Sequence, residues 1–90
     1  MKESIILNKH CINKEEAKNF YDILKTRLTD RLATTISFEY VNEISDEFLK
    51  TMFGDLINEF SIFKMNAYIF FDAISLEHSE SLLRVLYPGI

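Results

Sequence analysis

The chain is 90 residues long, enough for one domain over residues 1–90 and no second core. It buries roughly 60–65% of the surface its unfolded form exposes, so its stability margin is thin. A formal net charge of −4 with no Lys/Arg cluster argues against nucleic acid and against an anionic membrane surface as partners. Hydrophobic residues make up 48% and aromatics 13%, with 2 Gly and 1 Pro, so most of the chain should lie in regular elements.

In chain order, Ile5-Ile6-Leu7 within Ser4–Asn8 reads as a short strand. Lys9–Ile12 either continues it after a turn or forms a small partner strand. Asn13 caps a helix expected over Lys14–Arg31, with Glu16 in the capping-box position. Its apolar stripe is Ala17, Phe20, Leu24 and Leu28, widened by Tyr21 and Ile23, and Lys25, Arg27 and Arg31 suit its C-terminal end. Thr34–Val41 alternates Ile36, Phe38 and Tyr40 with Thr35, Ser37 and Glu39, a strand with one packed face and one wetter face.

Ser45 is a good N-cap for a second helix, with Asp46 and Glu47 in its first turn. The stripe that follows is Phe48, Leu49, Met52, Phe53, Leu56, Ile57 and Phe60. Gly54 in mid-helix costs about 1 kcal/mol against Ala, which close packing on a strand would explain. Ile62–Asn66 reads as a connection and Ala67–Ala73 as an interior strand. Ser75 opens a last helix with Leu76, Leu82, Leu83 and Leu86 inward, stopped by Pro88-Gly89. The order is βαβαβα: an α/β fold with a small sheet, largely parallel or mixed, and helices mainly on one face.

Little chemistry is suggested. His10, Cys11 and His78 are too few for a metal site, and adjacent residues on an extended chain point to opposite faces. A Cys11–His78 nucleophile pair lacks a third group, and isolated Gly54 and Gly89 make no phosphate-cradling loop. Glu15/Glu16 and Asp46/Glu47 are solvated helix-start acids. No catalysis, metal or cofactor is therefore expected. The start Met1-Lys2-Glu3-Ser4 leads into too short an apolar run for a signal peptide, no run approaches a membrane span, and lone Cys11 implies no oxidising compartment. The expected location is the cytoplasm.

The stretch Ile36–Leu56 resembles the STAS-like family of bacterial proteins, related to anti-sigma factor antagonists. The resemblance rests on Phe38-Glu39, Val41, Ile44-Ser45, Phe48 and Met52-Phe53-Gly54, with Asn13-Lys14-Glu15-Glu16-Ala17 similar to the family's start of helix one. It implies a non-enzymatic regulatory domain that docks a protein partner, often an ATP-binding kinase-like protein, at the start of the second helix. The partner-binding residues expected there are Glu43, Ser45, Asp46, Glu47, Phe48, Lys50 and Met52. In anti-sigma antagonists a Ser in that first turn accepts a phosphate. Here the best-aligned position holds Asp46, and Ser45 is the nearby hydroxyl and candidate phosphoacceptor, in competition with its capping role.

Phe60, Phe63, Tyr68, Phe70 and Phe71 crowd around the third strand. With helices on one face, either Tyr68 and Phe70 or Ile69 and Phe71 stay open, as a homodimer interface or beneath the N-terminal segment or a loop. Two other functions fit the sequence. One is a small phage- or plasmid-type inhibitor or structural protein acting by self-association and an acidic surface. The other is a nucleotide or small-ligand binding domain at the strand C-terminal ends.

Overall fold

The computed structural model describes residues 3–87. Met1-Lys2 and the expected Pro88-Gly89 stop lie outside them. Three strands, β1 (Glu3–Ile6), β3 (Thr34–Ser37) and β5 (Ile69–Asp72), form a parallel sheet in the order β1-β3-β5. Two shorter strands, β2 (His10–Cys11) and β4 (Glu43–Ile44), make a separate parallel pair. The Lys9–Ile12 segment is therefore a small strand, but its partner is β4 and not the first strand. The helices are α1 (Lys14–Thr29), α2 (Asp46–Leu49), α3 (Asp55–Glu59), α4 (Ile62–Tyr68) and α5 (Leu76–Leu86), with a π-helical stretch, Lys50–Gly54, joining α2 to α3.

Register separates the two sheet faces. Ile5 pairs with Ile36 and Ile36 with Phe71, while Thr34 pairs with Ile69; the four apolar side chains belong to the core, and Thr34 is buried with them. On the opposite face lie Ser4, Ile6, Thr35, Ser37, Phe70 and Asp72, where Ile6 is 57% and Phe70 40% exposed but Ser37 only 8%. β5 alternates in burial, with Phe70 more exposed than Ile69 or Phe71, whereas β3 does not: Ser37 is buried as well as Thr34 and Ile36.

The second strand is shorter than its alternation suggests. Val41 N donates to Phe38 O at 3.0 Å, and Ser37 Oγ accepts from Glu39 N, so the chain turns after Ser37. Phe38 still reaches the core, but Tyr40 stands in the turn, 59% exposed, and is not the inward residue expected. The expected connection at Ile62–Asn66 is instead helix α4. Ser61 Oγ caps it by accepting from Lys64 N at 3.1 Å, and this helix takes up the first residues of the expected third strand. In α5 the core side is Leu82, Val85 and Leu86; Leu76 and Leu83 face outward, contrary to expectation.

Caps set the other boundaries. Asn13 Oδ1 accepts from Glu15 N and Glu16 N to open α1, and Ser75 Oγ accepts from His78 N to open α5. At the far end of α1, Arg31 adopts φ 56°, and Leu32 N donates back to Arg27 O at 2.9 Å, a Schellman-type stop two residues earlier than Arg31 itself.

Gly54 is not explained by close packing. Its backbone is right-handed helical, φ −57° and ψ −47°, and an added Cβ would meet no atom within 4 Å. Replacing it removes unfolded-state entropy without a clash. Gly54→Ala is therefore expected to stabilise the domain by about 0.5–1 kcal/mol and raise Tm by roughly 2–8 °C. Thermal and urea melts check this; a lower Tm would show that the π-helical stretch needs glycine.

Candidate functional site

The start of the second helix is held from the side by the small β2–β4 pair. Asn42 N and Glu43 N both donate to Lys9 O, at 2.8 and 3.2 Å, and Ser45 N donates to Cys11 O at 3.1 Å. His10 Nδ1 meets Glu43 Oε1 at 2.8 Å across the same pair, with both side chains mostly exposed. These bonds fix the β3-to-α2 connection against the β1-to-α1 connection, so the tip is built from two chain segments.

Ser45 Oγ accepts from Phe48 N at 3.0 Å and so caps α2. Asp46, Glu47 and Lys50 project from the outer side of the helix and are exposed. Asp46 Oδ1 lies 3.7 Å from an Arg84 guanidinium nitrogen, a solvated pair worth about 0–1 kcal/mol. Phe48 and Met52 behave differently. They are 1% and 0% exposed, and the Phe48 ring packs edge-on against Phe20 with centroids 6.3 Å apart. Helical spacing that puts the acids outward puts these two inward, so neither has surface to offer a partner. They are removed from the expected docking set. Tyr40, in the turn just before, supplies an exposed ring, although strand alternation predicts it on the packed face. Glu39, Glu43, Asp46 and Glu47, in the same stretch of chain, are exposed as well.

The nucleophile and metal candidates are not brought together as a reactive site. Cys11 is fully buried, its Sγ donating to Asn8 O at 3.2 Å; burial, reinforced by the Glu16 charge, pushes its pKa to about 11. It stays a thiol at neutral pH and is a poor nucleophile. His10, its neighbour, points outward as the extended-chain argument requires. His78 stacks obliquely on the buried Phe38 ring, centroids 6.3 Å apart. Glu16 accepts from Asn8 Nδ2 at 2.7 Å, and its backbone N–H bonds the Asn13 cap, so it serves the start of α1. Among the described residues, no group of three or more His, Cys, Asp or Glu side chains is disposed to hold a metal.

Two further arrangements were not foreseen. Glu59 accepts from the Tyr21 hydroxyl and lies 3.0 Å from Lys25 Nζ, tying the end of α3 to α1. These partners lower the Glu59 pKa and raise those of Tyr21 and Lys25. Neither residue's partner is visible in sequence, because 34 or more positions separate them from Glu59. The second is an open cleft of about 350 Å³ lined by Glu3, Asp22, Ile23, Thr26 and Arg27. The Arg27 guanidinium at its edge already donates to Thr34 Oγ1, to Ala33 O at 2.8 Å and to Glu3 at 3.1 Å. Its hydrogen bonds serve the fold.

No family model, curated protein or solved structure matches this chain. No helix among the described residues is long and apolar enough to cross a membrane.

Proposed function

We propose that this is a non-enzymatic, STAS-like regulatory domain that docks a protein partner at the start of its second helix. The observation that carries the reading is the composition of that tip. Glu43, Asp46 and Glu47 are exposed, as is Tyr40 at 59% in the turn that precedes them, and the backbone of residues 42–45 is held by two chain segments. Exposed acids together with an exposed aromatic ring suit a partner surface bearing Lys and Arg beside apolar area. Such a partner would be cytoplasmic, and the resemblance offers an ATP-binding kinase-like protein as its class. Phosphate on Ser45 would cost the Phe48 N–H its cap and set new negative charge beside Asp46 and Glu47. Docking without a phosphorylation switch is therefore the simpler mechanism.

The test is a charge reversal that leaves the core alone. Tagged wild-type protein and the double variant Asp46→Lys/Glu47→Lys are used to capture partners from the native cell, at low and at raised salt. The expected result is a protein captured by wild type, released by salt, and reduced about tenfold or more in the variant while Tm stays within a few degrees. Equal capture by the two proteins would sink the proposal.

A further inference from the structure

Helix α5 carries a second apolar stripe that the fold does not use. Its inner side, Leu82, Val85 and Leu86, is buried in the core. Its outer side shows Leu76 at 77% and Leu83 at 50% exposed, and the cap residue Tyr87 that follows is 36% exposed. Leu76, Glu80 and Leu83 follow the four-three spacing of a coiled-coil seam within a narrow arc of the helix, and Tyr87, the non-helical cap residue, comes at the next four-residue step. The outer side also carries exposed Glu77, Glu80 and Arg84, so the two exposed leucines form a seam flanked by charge, the pattern of a helix that pairs with another helix.

The charges beside the seam indicate what that is. Glu77 and Arg84 are both exposed and lie seven residues apart along the same flank of the stripe. Residues at equivalent flank positions face each other when two such helices run antiparallel. A second copy would therefore set Glu77 against the partner copy's Arg84 and, by the two-fold axis, Arg84 against the partner copy's Glu77. Arg84 is only loosely committed within the chain, 3.7 Å from Asp46 and 3.1 Å from Ser81 Oγ. Leu76 packs near the partner copy's Tyr87, and Leu83 beside its Glu80, whose carboxylate can turn toward Arg84 of the copy carrying Leu83.

We propose that the outer side of α5 is a self-complementary interface through which two copies of this chain form an antiparallel, reversible homodimer. Two helices of 11 residues bury less than the roughly 1,000 Å² of a standard interface, so the dimer is weak and concentration-dependent.

Sedimentation equilibrium of the full chain across about 5–500 µM tests this, with association expected in the tens of micromolar. Leu83→Lys should raise the dissociation constant about tenfold or more, because it sets a charge in the seam. Glu77→Arg and Arg84→Glu should each weaken the dimer roughly threefold to tenfold, whereas the double swap Glu77→Arg/Arg84→Glu should restore it to within about threefold of wild type. The two residues are too far apart along one helix to pair within a single chain, so rescue reports contact between copies. Melting curves of each variant exclude unfolding as the cause. A chain monomeric throughout the range, a double swap weaker than either single change, or a dimer that survives Leu83→Lys but is lost in Ile6→Lys on the open sheet face would each overturn the proposal.

Discussion

Phe48→Ala is expected to destabilise the domain by about 3–5 kcal/mol, a large share of the total stability of a chain this size. The ring is 1% exposed, lies edge-on to Phe20 across the α1–α2 contact, and sits among Leu49, Met52 and Phe53, which are fully buried. Removing it deletes the transfer energy of a whole aromatic side chain and leaves a cavity that the flanking helices cannot close without moving together. Urea denaturation gives the value directly; a loss below about 1 kcal/mol would place the ring outside the core. The contrast with Asp46→Lys/Glu47→Lys is instructive. Those residues are adjacent to Phe48 in sequence, yet exposed, and their replacement is expected to alter capture and leave the melt almost unchanged. A loss of capture in Phe48→Ala would report unfolding, so it cannot serve as a docking mutation.

The same pair of outcomes shows where local sequence carries the structure. Asn13, Ser45 and Ser75 open the helices expected of them, because a cap is decided by a side chain and a backbone N–H two or three positions away. The parallel sheet follows from strands separated by helical crossovers. What local pattern does not contain is which apolar residues find a neighbour. Leu76 and Leu83 look identical in sequence to Leu82 and Leu86, and only the position of α5 against α2 separates inside from outside. Tyr40 continues the alternation of Ile36 and Phe38, but a turn at Phe38–Val41 breaks the strand first. Helix α4 was hidden because its residues, Ile62, Phe63, Tyr68 among them, are as good in a strand as in a helix, and the deciding signal was the Ser61 cap. At the candidate tip, the exposed acids were legible from helix-start chemistry, whereas the inward turn of Phe48 and Met52 depended on weighing the helical face over the motif.

Arg27→Ala should be the most costly polar substitution, at about 2–4 kcal/mol. The Arg27 side chain is only 12% exposed, and its guanidinium bonds Thr34 Oγ1, Ala33 O and Glu3, so one residue near the end of α1 ties together the first residues of β1 and β3. Truncation leaves the nearly buried Thr34 hydroxyl and the Ala33 carbonyl without this donor. Arg27→Lys keeps the charge but cannot present the planar fork, and is expected to recover less than half of the loss. Glu3→Gln, by contrast, touches a carboxylate that is 67% exposed and should cost under about 0.5 kcal/mol. Urea melts of the three variants rank these costs, and hydrogen exchange should show the extra opening concentrated in β1; a loss below about 1 kcal/mol for Arg27→Ala would mean that packing alone holds this end. Arg27 closes the N-terminal end of the sheet, while Glu43, Asp46 and Glu47 stand beyond its C-terminal end. A folded Arg27→Lys protein should therefore keep whatever partner the acidic tip captures, and that separation of stability from capture is what a docking tip built at one end of a parallel sheet requires.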